Sequence, residues 1–135
     1  MVEDALKSVL ANSPAVAALV GARIWPDRLP QTAQLPAIVY QRISTPEPAV
    51  TLASAATSPG RCRVQLSLWA LTFGETRQMI DAVRAVLHGW SGAAGADVLQ
   101  LVRLATWQDD YEPGPPEQFR VIADFMVTSN EGVAA

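Results

Sequence analysis

From Arg61 to Ala70 the chain reads "RCRVQLSLWA", an unbroken alternation of two residue classes. Cys62, Val64, Leu66, Leu68 and Ala70 fall on one side, and Arg61, Arg63, Gln65, Ser67 and Trp69 on the other. A period of two is the mark of a strand with one face against a core. The other face is polar except for Trp69. Immediately afterwards, "TFGETRQMIDAVRAVLHGW" changes period: Met79, Ile80, Val83, Val86, Leu87 and Trp90 recur at helical spacing. Thr72, with Glu75 three residues on, has the pattern of a capping box, and Gly89 marks the stop. A half-buried strand feeding an amphipathic helix predicts a sheet layer covered by a helix layer.

The remaining segments fit that plan. Val2, Ala5, Leu6, Val9 and Leu10 make one apolar stripe of a helix over 2–12, with Glu3 and Asp4 in its favourable first turn. Ser13 is placed to cap a short turn, "PAVAALVG", closed by Gly21. Next comes an arm punctuated by Pro26, Pro30 and Pro36; each proline fixes φ and removes a donor, so no helix or central strand can cross it. Strands are predicted over Ala37–Ser44, Val98–Trp107 and Phe119–Thr128, with "DDYEPGPPEQ" as an acidic, proline-rich turn before the last. The expected architecture is α+β: a two-layer sandwich with a mainly antiparallel four-stranded sheet and two helices packed on one face. One domain is expected over residues 1–128, with 129–135 as a flexible C-terminal tail.

Several kinds of chemistry find no support. The chain of 135 residues carries a net charge of −3, with ten Lys+Arg scattered along it, so no basic stripe for phosphates is expected. Its N-terminus lacks a signal-peptide pattern, and no apolar run of membrane-spanning length occurs. The single cysteine, Cys62, falls on the apolar side of its strand and reads as a small buried hydrophobe, with no disulfide possible within the chain. The only histidine, His88, lacks the partners that a metal site or catalytic triad requires and reads as a helix-end residue. Asp109, Asp110 and Glu112 lack the ligand spacing of a calcium loop and read as a solvated acidic turn. The glycine-rich "GWSGAAG" follows a helix instead of preceding one, so it is not a phosphate cradle. Trp25, Trp69, Trp90 and Trp107 read as core and contact residues. No catalytic residue, cofactor or metal site is predicted.

The order of these signatures resembles one family. "VEDALKSVLANSPAVAALVGARIWPDRLPQTAQLPAIVYQRIS", then "RCRVQLSLWALTFGETRQMIDAVRAVLHGWSG", then "DDYEP" and "FRVIADFMV" are similar to the tail-completion or tail-terminator proteins of long-tailed bacteriophages and gene transfer agents. The resemblance implies a structural, non-enzymatic virion protein, assembled in the host bacterial cytoplasm. It implies a homohexameric ring that caps the head-proximal end of the tail tube and stops its polymerisation. The implied partners are other copies, the major tail tube protein and the head–tail connector or stopper, with DNA passing through unbound. A head-side connector or stopper of the neck is the alternative within that class. A small enzyme or ligand-binding domain with a site shared between subunits is the alternative outside it.

Rings use heterologous contacts, and an aromatic beside arginine is a common interface anchor. Trp69, with Arg61 and Arg63 on the same strand face, is therefore the expected subunit contact. Sixteen residues from Thr45 to Gly60 exceed an ordinary connection. Val50 and Leu52 within them are expected to gain apolar contacts, and the segment to become ordered, on assembly.

Overall fold

Strand alternation and helical stripes meet across a single core in the computed structural model, which describes residues 2–30, 34–44, 60–94, 97–113 and 117–129. The helices are α1 (Val2–Ala11), α2 (Pro14–Val20) and α3 (Phe73–Leu87). The strands are β1 (Ile24–Pro26), β2 (Ala37–Ser44), β3 (Gly60–Ala70), β4 (Gly92–Ala94), β5 (Asp97–Glu112) and β6 (Gln118–Ser129). They form one sheet in the order β1-β2-β3-β6-β5-β4. The β1–β2 pair is parallel and the other pairs are antiparallel.

The α+β class and the one-sided helix layer are as expected, but the element count needs correction. The described residues hold six strands and three helices, not four and two. The additional strands, β1 and β4, are three residues each, too short to display a period of two. β1 lies inside the proline arm but at the sheet edge, where Pro26 costs no ladder bond. The chain then leaves the sheet at Asp27, whose φ of 64° is tolerated by a short polar side chain. "PAVAALV" is a helix in its own right, capped by Ser13, whose hydroxyl accepts from the Val16 N–H at 3.5 Å.

The core lies between the helices and one face of the sheet. Leu6 and Leu10 of α1, Val16 and Val20 of α2, and Met79, Val83 and Leu87 of α3 are buried against it. Facing them are Ile38 and Tyr40 of β2, Cys62 to Ala70 at alternate positions of β3, and Val121, Ala123, Phe125 and Val127 of β6. The capping box forms: the Glu75 N–H donates to Thr72 Oγ1 at 3.2 Å. α3 ends at His88, and Gly89 takes φ of 81°, the left-handed value that favours glycine. His88 Nδ1 accepts the Leu104 N–H at 3.1 Å, so the ring ties the helix end to β5. An arginine–glutamate pair fastens α1 to β2: Arg42 Nε and Nη2 donate to Glu3 Oε2 and Oε1 at 2.8 and 3.1 Å.

Candidate contact surface on the open sheet face

With every helix on one side, the opposite face of the sheet carries no helix, though Ala37 and Val39 near its β1–β2 edge are buried. Strand register arranges it in rows, because directly paired residues share a face. One row runs Trp25, Val39, Ser67, Ile122, Gln108 across β1, β2, β3, β6 and β5. The next is Ala37, Trp69, Arg120, Asp110. Farther along the same face come Gln65 beside Asp124, and then Arg63, Met126, Arg103.

Trp69 is half-buried on this face. The Arg120 guanidinium carbon stands 4.7 Å from its ring centroid, a cation–π arrangement. Arg120 Nη2 also donates to Asp110 Oδ2, and the Tyr111 N–H donates to Asp110 Oδ1 at 2.9 Å. The hydrogen bond from Arg120, and then that from Tyr111, hold the Asp110 carboxyl below its ordinary value.

The helix face of the same strand ends carries a counterpart. The Arg77 guanidinium carbon is 4.6 Å from the Phe73 ring centroid and 4.8 Å from that of Trp107, and Arg77 pairs with Asp109. Consecutive residues Asp109 and Asp110 therefore point to opposite faces, each holding an arginine against an aromatic ring. Beside them a cleft of about 400 Å³ opens between Phe73, Thr76, Tyr111 and Phe119. Tyr111 and Phe119 meet with ring centroids 5.2 Å apart.

These positions revise the expected site in three respects. Trp69 and Arg63 share the open face, but six residues of strand separate them, roughly 20 Å. The arginine that stacks on Trp69 is Arg120, contributed by β6. Asp109, Asp110 and Glu112 lie within β5, not in a solvated turn, and the first two are paired with arginines. Arg61 is paired by backbone register with Thr128 near the start of β3. Val50 and Leu52 lie outside the described residues, as do 130–135 of the expected tail. Cys62 is buried, 4% exposed, as a small hydrophobe. Among the described residues no group of three or more His, Cys, Asp or Glu is placed to hold a metal ion, and no helix is long and apolar enough to cross a membrane.

Comparison with known proteins gave a family match and likenesses among solved structures. The family model described as tail completion protein gp17 matches residues 4–129. Among solved structures, a chain of a particle described as the virion of a native gene transfer agent aligns with a TM-score of 0.71 at 15% identity, covering 94% of this chain and 92% of that one. At that identity the likeness is one of fold. No curated protein matched.

Proposed function

Because the chain belongs to the tail completion protein gp17 family, we propose that it forms a homohexameric ring closing the head-proximal end of a phage or gene-transfer-agent tail tube. It is a structural tail protein. The finer role, in this reading, is to stop tube polymerisation and to present the surface on which the head-side connector docks. The family match over residues 4–129 carries the proposal. The open face supports it physically: a sheet with helices on one side only leaves half-buried aromatic and arginine side chains for a neighbouring copy to cover. Trp69 is the anchor of that contact, with Arg120 as its partner, and Arg61, Arg63, Val50 and Leu52 belong to the same assembled surface. The ring acts by shape and contact and requires no catalytic step.

Deleting the gene and examining the particles by electron microscopy tests this role. Overlong tubes of uneven length, lacking heads, are the expected result. Tails of normal length beside heads that have lost their DNA would assign the protein to the head-side stopper instead.

A further inference from the structure

The two ends of the central strands carry opposite charge. At one end Arg63 and Arg103, both exposed, stand on either side of Met126 in one row. Two strand spacings separate them, about 10 Å. Among the described residues neither makes an ion pair with a carboxylate. Asp124, in the adjacent row, is engaged by the Gln65 side-chain amide at 3.2 Å. At the other end of β6, eight residues or roughly 26 Å away, the β5–β6 connection carries Glu112 and Glu117, both exposed. Glu112 has no cationic partner among the described residues, and Glu117 bonds the neutral Tyr111 hydroxyl. The nearby Asp109 and Asp110 are already neutralised by Arg77 and Arg120. Tyr111, 47% exposed, follows Asp110 at the same strand end and projects to the helix side, where it meets Phe119.

The two ends are complements: among the described residues, an apolar side chain between two cations without a carboxylate partner, and an exposed aromatic beside two anions without a cationic one. They are too far apart to meet within one chain. We propose that the β5–β6 end of one copy, with Glu112, Tyr111 and Glu117, docks onto Arg63, Met126 and Arg103 of the next copy. This rests on the ring reading above and supplies its contact. Because two different patches meet, the contact is heterologous and propagates head to tail, as a closed ring requires. Trp69 and Arg120 lie two residues of strand behind the docking end and extend the same contact.

Charge reversal in the full chain tests the docking. The Arg63→Glu/Arg103→Glu protein and the Glu112→Arg/Glu117→Arg protein are each expected to self-associate at least about tenfold more weakly than wild type in sedimentation velocity, since like charges then face each other. Mixed in equal amounts, they should recover association, because each offers the surface the other needs; alternating copies close a ring of even number. Recovery also establishes that both variants are folded. Unchanged association of either variant, or no recovery on mixing, overturns the contact. So does a wild-type chain that stays monomeric at low salt, since a charge-driven contact needs no tube as template. In that last case tube capping by wild-type protein still decides the ring reading separately. If the arginine reversal instead abolishes retention of duplex DNA and leaves association intact, the pair reads nucleic acid and the docking is wrong.

Discussion

Arg120 lies over the ring of Trp69, its guanidinium carbon 4.7 Å from the ring centroid, while Asp110 holds the same guanidinium from the opposite strand. The three residues come from β3, β6 and β5, so the arrangement exists only once the central strands have paired in register. Its acid lability follows from Asp110. The folded carboxyl titrates below its unfolded value of about 3.9. The pair therefore adds stability that is fully present above that value and is lost as pH falls through the folded one. Asp110→Asn should be less stable than wild type at pH 7, with the difference shrinking as the solution is acidified. Urea midpoints of the two proteins across the acid range check this; a constant difference would be inconsistent with the linkage.

Glu3 and Arg42 form another ion pair, and here geometry matters more than charge. Both Arg42 nitrogens reach Glu3, and the side chains are only 18% and 12% exposed. Arg42→Ala should destabilise the fold by about 1–3 kcal/mol, the usual range for a charge-assisted hydrogen bond that leaves its partner behind. Arg42→Lys should recover less than half of that loss, because a lysine cannot make the planar fork. Denaturant unfolding of the two variants beside wild type measures the split. Full recovery by lysine would show that only the charge counts.

How much of this was legible depends on how local each signal is. β3, α3 and their junction are written in residues that adjoin: the alternation through Leu66 and Leu68, the Thr72 cap, the Gly89 stop. β5 is expected over Val98–Trp107 and forms there, although bulges between Leu99 and Leu101 and between Leu104 and Thr106 shift the parity of its side chains, so the sequence does not display which face each residue takes. Its last residues, Asp109 to Glu112, read as a turn because Asp109 and Asp110 suit one. The arginines that make them strand residues, Arg77 and Arg120, are 32 and 10 positions away in sequence. For the same reason the sequence singles out Trp69 as an expected contact but gives no sign of Arg120, which stacks on it. Register between strands is a non-local property, and no short window displays it.

Duplex DNA should not be retained at physiological salt. Among the described side chains of the open face, Arg63 and Arg103 are the cations without a carboxylate partner, and two phosphate contacts would give a salt slope of only about −1.8. Such a slope belongs to weak, non-specific association. A gel-shift titration should show no complex into the micromolar range; tight, salt-sensitive retention would contradict the picture of a ring through which DNA slides.

Trp69→Ala separates folding from assembly. The side chain is half-buried on the open face and lies outside the core cluster, so its loss leaves the packing of Phe125, Leu66 and the helices intact. The isolated chain should therefore fold, with a stability loss within the ordinary range of about 0.5–3 kcal/mol. Part of that loss is the cation–π contact, about 0.5–1 kcal/mol at an accessible site, which a double-mutant cycle with Arg120→Met reads directly. Trp69→Phe keeps an aromatic platform of smaller area and should fall between wild type and alanine. Assembly should respond far more strongly, since a truncated aromatic anchor commonly costs at least about 2 kcal/mol in an interface, near thirtyfold in affinity for each contact. A ring repeats that penalty at every subunit boundary. Complementing a deletion strain with Trp69→Ala is expected to leave overlong, headless tubes even though the purified variant is folded by circular dichroism. If the variant instead yields capped tails of normal length, Trp69 is a packing residue of the open face and the subunit contact lies elsewhere.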